Sequence, residues 1–304
     1  MGSWCRGPFQ PAVQEEFCNT RRHNTPHVNT VPSSRELRLI LPAVALSSLQ
    51  NSTRKGLNLD PNERFSSWLS ALEARHLSDL TPSEAARALR ALSSCYVERR
   101  ARLAEGAALA TAGKRAAFAL FYGPLHFLVT REVIRALRLP PVRAIIDAGC
   151  GTGAAGAAWA LDVHAAVTGF DRHAWAVAEA AWTYRTLGLL GRTRKADIAR
   201  VEFEGKPGLG ILAAYAINEL NPSARALLLP RLIKAVTAHA HVLILEPIAR
   251  RQMPWWNEWE DAFLQAGGRT DEWRFPASLP PRQLQLARAA SLQPRELTAR
   301  SLSV

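Results

Sequence analysis

Ile145-Ile146-Asp147-Ala148-Gly149-Cys150-Gly151-Thr152-Gly153-Ala154-Ala155-Gly156 is the stretch that decides the fold. Residues 142–146 supply β-branched side chains for a buried strand. Alternate glycines follow, and without a Cβ they let the turn take positive φ and let a ligand approach the backbone closely. From Ala154 an alanine-rich helix begins, so its first N–H groups face whatever sits in the turn.

Two cofactor classes use such a turn. Gly151-x-Gly153-x-x-Gly156 fits the dinucleotide fingerprint, a pattern of low specificity by itself. Asp147, two residues before the first glycine, argues for the other class. A carboxylate at the strand end is poorly placed beside a pyrophosphate and well placed to hold an ammonium or a backbone amide. The D-x-G-x-G-x-G pattern resembles motif I of class I S-adenosylmethionine-dependent methyltransferases, whose cofactor carries an α-amino group and a sulfonium but no phosphate. A tight strand–helix turn with no ligand is the bland alternative.

Downstream, strand and helix signals alternate to about residue 250, the pattern of a doubly wound, mostly parallel sheet. Its strand C-termini share one edge, where ligands bind. The second strand ends in Asp171, placed to accept from a ribose diol; a helix cap is the alternative role. Lys195-Ala196-Asp197-Ile198 falls where the third strand ends. The resemblance implies that Asp197 accepts from the adenine amine and that Ile198 frames the ring; a surface Asp after a short strand is the alternative. The fourth strand exits through Tyr215-Ala216-Ile217-Asn218-Glu219-Leu220-Asn221-Pro222, without the Pro-Pro-aromatic run of amino-nitrogen enzymes or a nucleophilic Cys. Asn218 and Glu219 are therefore the candidate acceptor-side residues, by hydrogen bonding or proton abstraction; either can instead cap the next helix. Glu246 ends the fifth strand on the same edge. Trp255, Trp256 and Trp259 suit a stacking lid or, more often, core. Two final strands are expected near 272–275 and 299–304.

Ahead of the sheet, Asp60-Pro61-Asn62-Glu63 and Thr81-Pro82-Ser83-Glu84 are helix starts, each with a cap, a proline and an acid three residues on. Phe65, Trp68, Leu69 and Leu72 form one apolar face; Ala85, Leu89, Leu92, Tyr96 and Leu103 form a second. A third helix is expected over about 113–137 with a break at Gly123-Pro124. Tyr122 and His126 on it are candidates for lining the site or, more commonly, core residues. The expected architecture is an irregular or disordered extension over 1–59, an all-α helical domain over 60–140 and a Rossmann-like methyltransferase domain over 141–304.

The chain has 304 residues and a net charge of +12, and 33 of its 38 basic residues are arginine. The excess is spread evenly, so it permits RNA as a partner without locating it. Arg21-Arg22 precedes an apolar run over 37–49, but Arg38 and Pro42 interrupt that run, which argues against an export signal. No run of 18 apolar residues exists, so no membrane span is expected. Cys5, Cys18, Cys95 and Cys150 lack metal-type spacing and fit a reducing, cytoplasmic setting.

The glycine turn, Tyr122-Gly123-Pro124, Tyr215-Ala216-Ile217-Asn218-Glu219-Leu220, Leu245-Glu246-Pro247 and the proline-rich helix starts also look like bacterial relatives of the mitochondrial small-ribosomal-subunit methyltransferase-like family, over about 60–250. That resemblance implies rRNA or the small ribosomal subunit as partner. Members can carry a cysteine-bound iron–sulfur cluster after the core; this chain has no cysteine after Cys150. The sequence thus leads to methyl transfer from S-adenosylmethionine. Asp147, Gly149, Gly151 and Gly153 are expected on the methionine part, Asp171 on the ribose, and Asp197 and Ile198 on the adenine. The acceptor readings are rRNA, a small molecule, or ribosome assembly without turnover.

Overall fold

The computed structural model describes residues 60–78, 80–97, 109–248, 253–292 and 295–304. The expectations for 1–59, for Leu103 and for the side chain of Tyr96 lie outside the described residues.

Seven strands form one sheet: β1 (Ala144–Ala148), β2 (Ala166–Asp171), β3 (Gly191–Lys195), β4 (Leu209–Ala214), β5 (His241–Glu246), β6 (Arg269–Pro276) and β7 (Glu296–Ser303). Their spatial order is β3-β2-β1-β4-β5-β7-β6. The pairs from β3 to β5 are parallel, and β7 runs antiparallel to both β5 and β6. The chain reverses its direction of winding between β1 and β4, and the crevice at such a switch point is where open α/β sheets hold ligands. Because β7 runs backwards, its first residues lie at the same edge as the ends of β1, β4 and β5.

β4 is buried at every position and β5 at all but its first, as a strand covered on both faces requires. Helices α1 (Pro61–His76), α2 (Pro82–Val97), α3 (Ala112–Ala117) and α4 (Gly123–Leu137) precede the sheet, and α5 (Ala154–Val163) and α6 (Ala174–Thr186) link its first three strands. One apolar cluster joins Phe65, Trp68 and Leu72 of α1 to Trp159 of α5, Tyr184 of α6 and Leu243 of β5. A second cluster, on the opposite face, packs α7 (Pro222–Thr237) and α8 (Trp256–Gln265) against Ile211, Val242 and Ile244. Trp256 and Trp259 are fully enclosed there and Trp255 nearly so, so the tryptophan cluster is core. Helix α9 (Pro281–Ala289) packs back on α2.

Both helix starts form as their sequences predict. Asp60 accepts from the Asn62 and Glu63 amides while Glu63 accepts from the Asp60 amide. Thr81 and Glu84 make the same reciprocal pair. The expected break at Gly123-Pro124 is replaced by a π-helical turn over Phe118–Tyr122 that joins α3 to α4. Pro124 has no N–H to give, and the Gly123 amide bonds five residues back to the Phe118 carbonyl, so the helix absorbs the proline without ending. Among the described residues no helix is long and apolar enough to cross a membrane.

Candidate cofactor and acceptor site

The turn after β1 has the conformation its glycines allow. Gly149, Gly151 and Gly153 have φ of 75°, 52° and 76°. At Gly149 a side chain is excluded twice, since a Cβ there would lie 2.5 Å from the Ala216 Cβ. The loop after β4 thus sits directly on the turn. The Gly149 and Cys150 amides bond to the Phe170 carbonyl at 2.8 and 2.9 Å, tying the turn to the end of β2.

Asp147 is buried beneath this turn. Its Oδ2 accepts from the Gly156 amide at 3.2 Å and from the Tyr184 hydroxyl at 3.0 Å. Burial pushes the carboxyl up to about 7, against the opposing pull of those two donors. Asp171 Oδ2 accepts from the Gly151 amide at 3.0 Å and its Oδ1 from the His173 amide at 2.7 Å. The cap of α6 is His173, whose ring nitrogen accepts from the Trp175 amide, so Asp171 is not itself the helix cap. A carboxylate has about four lone-pair positions. Two are used here, and acceptor capacity remains toward the cavity that Asp171 lines.

Asp197 starts a short 3₁₀ turn, Ile198–Arg200, and accepts from the Ala199 amide at 3.1 Å. It is exposed and lies at the cavity wall, while Ile198 is buried with its Cδ1 close to Gly149. Asn218 and Glu219 lie in a second 3₁₀ turn, Ile217–Glu219, and both line the cavity. The Asn218 amide donates to Glu246 Oε1 at 3.0 Å. Neither residue caps α7; Asn221 does, accepting from the Ala224 amide at 2.8 Å.

The structure brings the residues expected on the donor and the acceptor to one cavity of about 500 Å³, except Gly153, which packs beneath it against α6, while the tryptophan cluster lies elsewhere in the core. Tyr122 and His126 line the same cavity. Sequence reasoning missed Phe118, Leu125 and Val129 on the π-turn and α4, and Glu296, Leu297 and Thr298 at the start of β7. The antiparallel direction of β7, which places its first residues at the ligand edge, leaves no local mark in the sequence.

The cavity's charge is one-sided. Asp147, Asp171, Asp197, Glu219, Glu246 and Glu296 line it, and among the described residues Arg172 is the only Lys or Arg that does. Partial burial, aided by the neighbouring Arg115, holds the His173 imidazole below its usual range, which favours its neutral form. A pyrophosphate would meet this wall of carboxylates unfavourably, whereas a ligand with an ammonium and a sulfonium matches it. The close-packed glycine turn and the two acceptor-bearing strand ends fit the same ligand.

Residues 145–238 match the family described as methyltransferase domain. No curated protein matches the chain. Among solved structures, a TehB-like SAM-dependent methyltransferase from Corynebacterium glutamicum is similar at 17% identity over 58% of this chain and 86% of its own, with a TM-score of 0.40. Magnesium protoporphyrin IX methyltransferase from Synechocystis, solved with bound SAM, is similar at 13% identity over 74% of this chain and 97% of its own, with a TM-score of 0.40. A tRNA (uracil-54, C5)-methyltransferase from Pyrococcus abyssi is similar at 15% identity over 57% of this chain and 37% of its own, with a TM-score of 0.39. The matched segment spans β1 to the end of α7 and contains the glycine turn, Asp171, Asp197 and Asn218. Residues 145–238 thus match a methyltransferase domain, seated on the sheet that positions the glycine turn, and methyl transfer from S-adenosyl-L-methionine is the activity this match indicates.

Proposed function

We propose that this chain methylates an RNA acceptor, with rRNA of the small ribosomal subunit as its source, and that the residues around the glycine turn hold the donor. Asp147, Gly149 and Gly151 take the methionine part, with Gly153 setting the turn's shape. Asp171 takes the ribose diol, and Asp197 with Ile198 takes the adenine. The observation that carries the donor assignment is the acid-lined cavity built on the glycine turn. The donor supplies a methyl group on a sulfonium, an intrinsic electrophile. What remains for the protein is to hold the acceptor in line and exclude water. Asn218 and Glu219 sit where they can orient the acceptor or take its proton, and the helices of 60–140 select it.

RNA is favoured by the rim. Arg172 and Lys195 lie close enough to His173, together with Arg115, to influence its ionisation. Edge strand β3 adds Arg192 and Arg194, both exposed. Phosphates can follow this basic margin while the carboxylate-lined interior receives only the reacting group. A small-molecule acceptor is favoured by a different observation, the apolar wall of Phe118, Leu125, Val129 and Leu297 on the cavity.

Methyl-labelled donor, incubated with the protein and either small-subunit rRNA or a low-molecular-weight cell extract, separates the readings. Label in RNA supports the proposal. Label only in small molecules replaces its acceptor. Donor binding without transfer to either would leave a ribosome-assembly protein that has kept the fold.

A further inference from the structure

We propose that the acceptor half of the cavity is a stacking site for a flat heteroaromatic ring, uncharged or cationic, that packs against the paired rings of Tyr215 and His126. This rests on the methyl-transfer reading above and narrows its acceptor. Tyr215 follows β4 directly and has φ of 59°, in the left-handed region. For a bulky residue that conformation costs on the order of 1 kcal/mol and survives only where its surroundings enforce it. Its amide is fixed by a 2.7 Å bond to the Leu245 carbonyl.

The result of this strained exit is a defined ring position. The Tyr215 and His126 rings stack at 4.1 Å between centroids and 14° between planes. Tyr122 lies 6.0 Å from His126, and Phe118 meets His126 edge-on at 6.0 Å. Phe118 and Tyr122 are the first and last residues of the π-turn, which sets their direction relative to His126. All four rings line the cavity, and Tyr215 and His126, though largely enclosed, keep part of their surface exposed. A pair that merely filled the core would need neither the cavity nor the left-handed backbone.

Charge narrows the ligand further. Glu219 and Glu246 line the same cavity, and Glu246 is close enough to Tyr215 to influence its hydroxyl, so a phosphate or carboxylate acceptor would be repelled, while ring N–H groups find acceptors. Burial holds the His126 imidazole well below its usual range, so the pair presents neutral π faces beside a cationic donor. A nucleobase and a free heteroaromatic metabolite share this chemistry.

The test uses 2-aminopurine, whose fluorescence falls on stacking, as the free riboside and as one base within a single-stranded RNA, with S-adenosylhomocysteine present. Quenching of at least one probe is expected. Saturation by the riboside identifies a small-molecule acceptor, and quenching of the RNA alone identifies a base within a strand. Tyr215→Leu and His126→Leu should each weaken the quenched complex about tenfold or more, the effect of losing one stacked aromatic. Tyr215→Phe should retain it, and donor affinity measured on each variant shows that the fold is intact. Quenching of neither probe by protein that binds donor, or unchanged quenching in Tyr215→Leu, would overturn the stacking site and leave the methyl-transfer reading standing. Failure to bind donor would overturn that reading instead.

Discussion

Asp147 and Gly156 occupy one space: the carboxylate accepts the Gly156 amide at 3.2 Å, and a Cβ on Gly156 would lie 2.3 Å from that same oxygen. The last glycine of the motif is therefore present because the carboxylate of the first strand fills the position of its side chain. Gly156→Ala should push Asp147 off both its donors. We expect a loss of about 1–3 kcal/mol in stability, the usual cost of overpacking, together with a marked fall in donor affinity. Chemical denaturation and calorimetry on the same variant would show both losses; a variant as stable as the wild type would contradict the packing account.

The ionisation of Asp147 should appear in the pH dependence of the protein. Its carboxyl is raised from 3.8 to about 7 by burial, so the folded state keeps a proton that the unfolded chain has lost between those values. Its contribution to stability is therefore complete below about 4 and falls as pH rises toward 7. A cationic donor favours the ionised form, so donor affinity should rise about tenfold from pH 6 to pH 8 as that form becomes populated. Calorimetry in buffers of different ionisation enthalpy should report proton release on binding near neutral pH. Asp147→Asn should bind more weakly and lose the pH dependence.

Glu179 is the tie between α1 and α6. It is 1% exposed, and its two oxygens meet Arg75 Nε at 3.2 Å and His76 Nε2 at 2.7 Å. The Arg75 guanidinium also lies over the Trp182 ring at 4.9 Å. Glu179→Ala removes the buried carboxylate and leaves the largely enclosed His76 without its partner while Arg75 stays solvated, and we expect about 2 kcal/mol of destabilisation. A thermal melt should show the midpoint falling by about 4–8 °C. An unchanged midpoint would show that the helices before the sheet are held by apolar packing alone.

The basic rim should be visible in salt dependence. If phosphates follow β3 and the cavity mouth, Arg194→Ala and Lys195→Ala should each weaken binding to single-stranded RNA and each lower the salt slope by about one. Donor affinity should stay unchanged in Arg194→Ala. Equal slopes in variant and wild type would place the RNA elsewhere or remove it.

What the sequence revealed and what it hid divides along physical lines. The glycine turn, the buried runs of β1 and β5 and the two reciprocal helix caps depend on residues close together in the chain, so their patterns are local. Asp171 and Asp197 were legible because parallel strands deliver their ends to one edge. The direction of β7, which brings Glu296 and Leu297 to the cavity, depends on pairing between β5 and β7 and is written nowhere locally. The π-turn was read as a break because Gly123-Pro124 signals interruption without saying how a helix resolves it. Tyr215 was invisible as a site residue because a left-handed tyrosine is enforced by its surroundings.

The most direct test of the central claim is calorimetric titration of S-adenosylmethionine into the purified protein, beside Asp171→Ala and with NADH as a control. The account predicts saturable binding of S-adenosylmethionine, none of NADH, and a loss of about tenfold or more in the variant, since Asp171 orders the turn through the Gly151 and His173 amides and is the residue proposed to take the ribose. Absence of binding by folded protein, or binding of NADH in its place, would contradict it.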